Sequence, residues 1–276
     1  MKNLSSFTIP ALIKHQAENF GSKPALISDH ETISFLELDK LSTNIAAHLI
    51  DLNILPGDRV AIWAPNMNEW VLAAIAIHKV GGVLVPINTR MKGREAAYIL
   101  NNSESKILFS LKTFLGTDYF KLLENEDLPY LKYQISFDEI EATDSKIPFF
   151  TLKENTLDVQ LPEVIETDMA DIIFTSGTTG KPKGVISSHL QNIKVFDYWS
   201  TYIGLNENDR YLIVNPFFHT FGYKAGWLAS VMRGVTAYPC PVFDADKIIQ
   251  IINKEKISML PGPPTLYQSI LTSQLI

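Results

Sequence analysis

Cysteine is nearly absent from the sequence, which contains a single one, Cys240, in 276 residues. A lone cysteine cannot form an intramolecular disulfide, and such residues most often pack as small buried hydrophobes. The charged side chains of Lys2, Lys14 and Glu18 interrupt residues 1–20, so this segment lacks the continuous apolar core of a secretory signal. We therefore expect a protein of a reducing, cytoplasmic compartment.

Long apolar runs and an excess of positive charge are also lacking. The longest apolar stretch, residues 71–87, is interrupted by His78, Lys79, Gly81 and Gly82, and it falls short of the roughly 18 to 20 apolar residues of a membrane span. With 24 Lys and Arg against 30 Asp and Glu, the net charge of -6 provides no positive field for a polyanion. We expect no transmembrane segment and no nucleic-acid partner, while association with a membrane surface stays open.

The composition that is present is that of a globular protein, with 46% hydrophobic residues, 15 Pro and 14 Gly. Ser34 and Glu37 form a predicted capping box at the start of a helix that Pro56 and Gly57 end. Beyond it, short apolar strands alternate with amphipathic helices, which predicts a mostly parallel sheet with helices on both faces. The predicted strands cover residues 60–64, 83–86, 106–110, 171–174, 185–187, 211–215, 235–238 and 257–260. The other predicted helices cover residues 68–79, 92–100, 191–202, 223–232 and 244–254.

The regular alternation weakens between residues 111 and 166, where acidic residues and prolines accumulate and surface connections are predicted. We place a subdomain boundary there. Residues 1–165 are predicted to form a first α/β subdomain with its connecting segment, and residues 166–276 the start of a second, similar one. The expected class is a doubly wound α/β fold. The apolar-periodic segment that begins at Pro264 stops at Ile276 without a cap or a polar tail, so we expect the front part of a longer protein.

The most informative segment is Thr-Ser-Gly-Thr-Thr-Gly-Lys-Pro-Lys-Gly at residues 175–184. Its three glycines leave backbone N–H groups accessible, its hydroxyls can donate hydrogen bonds, and Lys181 and Lys183 supply positive charge, which together suit a polyphosphate. The spacing differs from a Walker A motif, because Pro182 stands where a Ser or Thr would hold magnesium, so a P-loop NTPase is disfavoured. A flexible hairpin without a ligand is the alternative that the spacing leaves open.

This decapeptide resembles the signature of the AMP-forming adenylate synthetase superfamily, which includes acyl-CoA synthetases, luciferases and the adenylation domains of peptide synthetases. Residues 34–38 resemble the first motif of that family and residues 78–88 resemble its second, so the resemblance covers nearly the whole chain. It implies the N-terminal domain of such an enzyme, with the mobile C-terminal domain absent. It also implies contacts to the β- and γ-phosphates of ATP from Thr175, Ser176, Gly177, Thr178, Thr179, Gly180 and Lys183. Lys181 is at a position that usually faces solvent.

A second segment, Asn-Pro-Phe-Phe-His-Thr-Phe-Gly at residues 215–222, follows a predicted strand. A core corner with a satisfied histidine is one interpretation. In acyl-CoA synthetases a similar segment lines the carboxylate pocket, which implies substrate contacts from Phe218, His219, Phe221 and Gly222. The segment has no acidic residue to pair with a substrate ammonium, so a carboxylic acid without an α-amino group is favoured. The segment is also similar to that of ligases for branched or ring-bearing propanoate side chains, so the resemblance implies a fatty or ring-bearing acid.

The resemblance implies two half-reactions that use ATP, Mg²⁺ and CoA. In the first, a carboxylic acid attacks ATP to form an acyl adenylate; in the second, the CoA thiol forms the thioester. No residue is assigned to catalysis or to a metal, because the family's adenine, ribose, magnesium and catalytic-lysine motifs are not found in this sequence. We predict a synthetase of fatty-acid and lipid metabolism, with a homodimer considered as its assembly, whose residues 1–276 alone are inactive. The alternatives are a non-catalytic truncated product that keeps ATP or pyrophosphate binding, and adenylation of another carboxylate with a different acceptor.

Overall fold

The computed structural model describes residues 7–154, 157, 159–175 and 181–275, and it shows a mixed α/β fold. The strands are β1 (Pro24–Ile27), β2 (Thr32–Ser34), β3 (Arg59–Trp63), β4 (Val83–Pro86), β5 (Ile107–Ser110), β6 (Thr113–Phe114), β7 (Thr117–Asp118), β8 (Tyr133–Ser136), β9 (Lys146–Pro148), β10 (Met169–Thr175), β11 (Lys183–Ser188), β12 (Arg210–Ile213) and β13 (Thr236–Pro239). The α-helices are α1 (Ile9–Phe20), α2 (Phe35–Asp51), α3 (Asn68–Lys79), α4 (Gly93–Asn102), α5 (Tyr119–Leu123), α6 (His189–Tyr202), α7 (Thr220–Gly222), α8 (Ala229–Arg233), α9 (Ala245–Glu255) and α10 (Pro264–Leu271). A 3₁₀-helix covers Phe149–Lys153, and a π-helix, Tyr223–Leu228, joins α7 to α8.

Two mostly parallel sheets organise the described residues. The larger has the order β11-β10-β4-β3-β5-β8-β9, and the smaller has the order β12-β13-β1-β2. Only the β10–β11 and β1–β2 pairs within these two sheets are antiparallel. Both sheets take strands from either side of residues 165 and 166, so the division into residues 1–165 and 166–276 stays a prediction.

Helices cover both faces of the seven-stranded sheet, as neighbouring residues of β3 show. Val60 and Ile62 pack in the core formed with α2 and α3, whereas Ala61 and Trp63 pack in the core formed with α4 and α5. Successive side chains of a strand point to opposite faces, so a strand buried on both sides reads as a continuous apolar run. The predicted doubly wound α/β class is confirmed.

Several local predictions are also confirmed. The capping box at α2 is formed, with Ser34 Oγ accepting from Glu37 N at 3.2 Å and Glu37 Oε2 accepting from Ser34 N at 2.8 Å. The helix predicted over residues 244–254 is present as α9, and Asp244 caps it by accepting a hydrogen bond from Lys247 N at 3.0 Å. Cys240 is a free, buried cysteine, and burial raises the pKa of its thiol to about 11.

Two predictions are wrong. Residues 257–260 do not form a strand, because the pairing is limited to one bridge between Met259 and Tyr211. The stretch between residues 111 and 166 is not composed of surface connections alone, since it supplies β8 and β9 to the larger sheet. These strands are short and lie at one edge of the sheet, where few of their residues need to be buried. No helix within the described residues is long and apolar enough to cross a membrane.

Candidate active site

The predicted phosphate segment lies between the two strands of a hairpin. Strands β10 and β11 pair in antiparallel register from Asp171 opposite Ser187 to Thr175 opposite Lys183. The β-branched residues of both strands favour this extended pairing. Thr175 and Lys183 are both exposed where the hairpin pairing ends. The other residues assigned to phosphate binding lie outside the described residues, namely Ser176, Gly177, Thr178, Thr179 and Gly180.

A cavity of about 760 Å³ lies at the end of this hairpin, beside the carboxyl ends of β4 and β10. Ligands of parallel α/β sheets bind in crevices at this edge, because the loops that follow the strands converge there. The cavity brings Thr175, from the phosphate segment, together with Phe218 and His219, from the predicted acid-binding segment. Its lining consists of Pro86, Asn88, Met91, Arg94, Glu95, Tyr98, Ile99, Ile173, Phe174, Thr175, Lys181, Pro182, Phe218, His219 and Thr220.

The cavity combines apolar and cationic side chains. Ile99 and Phe174 are among its apolar walls, and Arg94 and Lys181 bring positive charge. The carboxylate of Glu95 accepts a hydrogen bond from Lys92 N at 2.8 Å. An apolar wall beside cationic groups can hold an organic acid next to a phosphate chain. A second depression, of about 600 Å³, lies between α1 and the end of α6, and its lining includes none of the predicted site residues.

The residues of the acid-binding segment have different environments. Phe217 is fully buried against Trp70, with ring centroids 5.3 Å apart, whereas Phe218 is half-buried and lines the cavity. His219 is exposed and caps α7, since its Nδ1 accepts from Phe221 N at 3.3 Å. Phe221 packs edge-on against Trp199, with ring centroids 6.1 Å apart. The structure thus brings Phe218 and His219 to the cavity wall, while Phe221 contacts α6.

Gly222 lies away from the cavity lining and is enclosed by backbone. A Cβ at this position would lie 2.2 Å from the carbonyl oxygens of both Asn215 and Pro216. No side chain fits at this distance from the backbone. The geometry therefore gives Gly222 a packing role, and its contact with substrate stays a prediction.

A buried polar network, which the sequence patterns do not predict, lies behind the hairpin. Lys224 Nζ is 2.8 Å from Asp171 Oδ1, and their side chains are 5% and 0% exposed. Asn192 Nδ2 donates to Asp171 Oδ2 at 2.5 Å. Burial, together with the nearby Asp171 carboxylate, raises the pKa of the Tyr223 hydroxyl well above its usual value. His78 Nε2 lies 3.0 Å from the Tyr223 hydroxyl oxygen. The sequence did contain one signal for this network, namely charged residues within otherwise apolar helices and strands. Such residues are buried only when they have partners.

Burial governs the protonation of this network. It raises the pKa of the Asp171 carboxyl, and the Lys224 ammonium and the hydrogen bonds to the carboxylate oppose that rise. Burial places the pKa of His78 well below its usual value, and nearby His189 and Lys224 act in the same direction. Burial also lowers the pKa of His189 to about 4. Both imidazoles are therefore neutral at pH 7.

Among the described residues, no group of three or more His, Cys, Asp or Glu side chains could hold a metal ion. Mg²⁺ is usually held by one or two carboxylates together with water and substrate phosphates, so the Mg²⁺ that the resemblance implies does not need such a group. We derive no step through a metal from these residues.

The sequence matches the profile of the AMP-binding enzyme family over residues 13–275. A 7a-methyl-1,5-dioxo-octahydro-1H-inden-4-yl propanoyl:CoA ligase of Rhodococcus jostii is 38% identical over 275 residues, which cover 96% of this chain and 53% of that protein. A ligase of the same name from Mycobacterium tuberculosis is 39% identical over 268 residues, with 96% and 53% covered. The chain thus spans about half the length of these curated relatives.

The fold is also similar to that of a solved structure. The inhibitor-bound N-terminal domain of FACL13 from Mycobacterium tuberculosis superposes with a TM-score of 0.86 at 27% identity, over 97% of this chain and 65% of that one. The family profile covers nearly the entire sequence, and Thr175, Lys181 and Pro182, which flank the central residues of the glycine-rich segment, line a cavity at the sheet edge. The chain therefore belongs to the AMP-binding enzyme family.

Proposed function

We propose that this chain supplies the phosphate-binding and acid-binding segments of an ATP-dependent acyl-CoA synthetase, and that its acid is a ring-bearing propanoate. The main observation in support is the single cavity lined by Thr175, Phe218 and His219. Two segments that are distant in sequence, one suited to polyphosphate and one suited to an apolar acid, meet there. The names of the two relatives at 38% and 39% identity support a fused-ring propanoate over a linear fatty acid.

The proposed reaction has two steps. A carboxylate oxygen attacks the α-phosphorus of ATP, the bond to the β-phosphate oxygen breaks, and pyrophosphate leaves with the electron pair. The CoA thiol, losing its proton, then attacks the acyl carbonyl carbon, and AMP leaves. Binding and orientation of the reactants contribute most to such phosphoryl chemistry.

The contributions of this chain are positioning and charge. The exposed Lys183 supplies positive charge for the β- and γ-phosphates, which leave as pyrophosphate, and Lys181 supplies it beside the cavity. Phe218 presents an aromatic wall to the ring of the acid, and the segment 215–222 has no carboxylate that would attract an α-ammonium group. A cytoplasmic location, a homodimer and the inactivity of residues 1–276 alone stay predictions.

The test is acid-dependent exchange of labelled pyrophosphate into ATP. It is run on residues 1–276 and on any longer gene product that contains them, with fused-ring propanoates, octanoate, palmitate and amino acids compared. We expect exchange in the longer product that is fastest with ring-bearing propanoates and weakened by Lys183→Ala. Exchange driven best by amino acids or by palmitate would contradict the proposed acid. Pyrophosphate binding without exchange in either protein would favour the non-catalytic alternative.

A further inference from the structure

The Lys224 ammonium contacts both strands of the hairpin. It lies 2.8 Å from Asp171 Oδ1 on β10 and donates a hydrogen bond of 3.0 Å to Ser187 Oγ on β11. Asp171 and Ser187 are themselves cross-strand partners. One buried cation therefore contacts both strands at the Asp171–Ser187 position of the register. Thr175 and Lys183 end the pairing four residues further along the hairpin.

The same lysine is anchored to the acid-binding segment. Lys224 belongs to the π-helix, whose first residue, Tyr223, donates its backbone N–H to the carbonyl of His219 at 3.0 Å. π-Helical turns inserted into α-helices are frequent at functional sites. Through Lys224, the helix that follows His219 is joined to the strands that lead into and out of the glycine-rich segment.

Side chains from other elements surround the Lys224–Asp171 pair and restrict its geometry. Asn192 Nδ2, from α6, donates a hydrogen bond of 2.5 Å to Asp171 Oδ2, and His78 Nε2, from α3, lies 3.0 Å from the Tyr223 hydroxyl oxygen. Buried charge pairs require their hydrogen bonds to be satisfied, and a displaced partner leaves an uncompensated charge. A shift of the hairpin relative to the π-helix would break several of these contacts at once.

A buried ion pair is a weak source of stability, because the desolvation of both charges offsets most of their attraction. Apolar side chains of similar volume would hold the same elements together without that cost. The Lys224–Asp171 pair differs from apolar packing because its contacts depend on direction. They form only when β10 and the π-helix have this one relative placement.

We propose that Lys224 is a positioning residue, which fixes the β10–β11 hairpin relative to Phe218 and His219 and thereby aligns bound pyrophosphate with the acid. This proposal rests on the proposed function, since it assumes that the segment between the strands binds phosphates. It assigns a role to a side chain that does not line the cavity.

The chain contains a matched control. Lys79 is equally buried, with its side chain 5% exposed, and its Nζ lies 2.6 Å from Asp39 Oδ1. Like Lys224, it has a hydroxyl as a second acceptor, Thr43 Oγ1 at 2.6 Å. This pair joins α3 to α2, and the hydrogen bonds of Lys79 go to Asp39 and Thr43 rather than to the hairpin. Lys79→Met therefore removes a similar buried cation that does not hydrogen-bond to the strands.

The experiment compares the wild-type chain with Lys224→Met and Lys79→Met by three measurements. These are the urea midpoint, the affinity for magnesium pyrophosphate by calorimetry, and amide hydrogen exchange of β10 and β11. We expect both variants to lose stability, while only Lys224→Met weakens pyrophosphate binding, by about ten-fold or more, and accelerates exchange in the hairpin. Equal effects of the two variants on affinity and exchange would overturn the proposal, and so would an unchanged Lys224→Met.

Two further controls separate the outcomes. If Lys224→Met does not fold, the double variant Asp171→Asn/Lys224→Met removes both charges together and takes its place. If the wild-type chain does not bind pyrophosphate, the proposed function fails, and hydrogen exchange alone then decides on the role of Lys224. Amide hydrogen exchange of β10 and β11 that is as slow in Lys224→Met as in Lys79→Met would disprove the positioning role of Lys224.

Discussion

Thr175 and Lys183 face each other across the last paired position of the β10–β11 hairpin. Lys183 is therefore fixed to the strand that leaves the glycine-rich segment, whereas Lys181 precedes the strand and lines the cavity. Both lysines are exposed. The resemblance assigns phosphate contact to Lys183 and a solvent-facing position to Lys181, so the two can be compared directly.

We expect Lys183→Ala to weaken pyrophosphate binding by about ten- to hundred-fold, since a hydrogen bond to a charged group contributes about 1.5 to 3 kcal/mol. Lys181→Ala should have a smaller effect that disappears at high salt, because the charge of a lysine without direct phosphate contact acts at longer range and is screened. Calorimetric titrations at low and high salt measure both. A larger loss of pyrophosphate affinity in Lys181→Ala than in Lys183→Ala would mean that Lys181, and not Lys183, contacts the phosphates.

The side chain of His219 has two separable roles. Its Nδ1 caps α7, and the residue lines the cavity, where we expect its ring to contact the acid. His219→Asn keeps an acceptor for the Phe221 amide and removes the ring, while His219→Ala removes both. We expect both variants to reduce acid-dependent exchange in the longer product, and only His219→Ala to cost about 1 kcal/mol of stability. Equal exchange in wild type and His219→Asn would show that the ring does not contact the acid.

Gly222 should tolerate no side chain. Gly222→Ala would place a Cβ against two backbone carbonyl oxygens at 2.2 Å, so the turn itself must move. We expect a loss of about 3 kcal/mol or more, above the usual cost of overpacking. Gly226→Ala is the comparison, because its Cβ would meet the Ile213 side chain at 3.0 Å. Urea unfolding of both measures the difference, and similar midpoints would contradict the packing role of Gly222.

The elements that the sequence predicts best have strong periodicity and clear ends. Helix α3 and strand β4 have the predicted bounds, since Gly81 and Gly82 separate them and both are buried on all sides. Helix α1 carries local signals, a Thr8 side chain that accepts from Ala11 N at 3.2 Å and a proline in its first turn. Those signals could have predicted it.

Long-range features leave no such local pattern. The pairing of β1 with β13 and the contact of Lys224 with Asp171 join residues far apart in sequence. A sequence pattern gives the burial of one element but not the identity of its partner. The cavity was therefore predictable as two separate segments, while their meeting, and the buried network behind them, required the structure.

The remaining prediction concerns acid stability, which His189 should control. Its Nδ1 accepts a hydrogen bond from Ile9 N at 3.3 Å, and its ring lies edge-on to that of His78, with centroids 5.2 Å apart. Burial lowers its pKa from the ordinary 6.5 to about 4. Between these pH values the unfolded chain binds a proton that the folded chain does not. Stability must therefore fall as the pH falls from about 6.5 to about 4.

His189→Asn isolates this contribution, because the amide oxygen can still accept from Ile9 N but does not titrate. At pH 7 the imidazole is neutral in both states and its titration costs nothing; near pH 4 the wild type should have lost about 3 kcal/mol that the variant keeps. His78 acts in the same direction, while Asp171, whose pKa is raised, acts in the opposite direction at the acid end. Both are present in the two proteins, and burial, the main cause of both shifts, is kept, so most of their contribution cancels in the difference. Urea midpoints measured from pH 7 down to pH 4 test this, with the exposed His30→Asn as a control. Parallel pH curves for wild type and His189→Asn would mean that the pKa of His189 is the same in the folded and the unfolded chain, and that burial does not lower it.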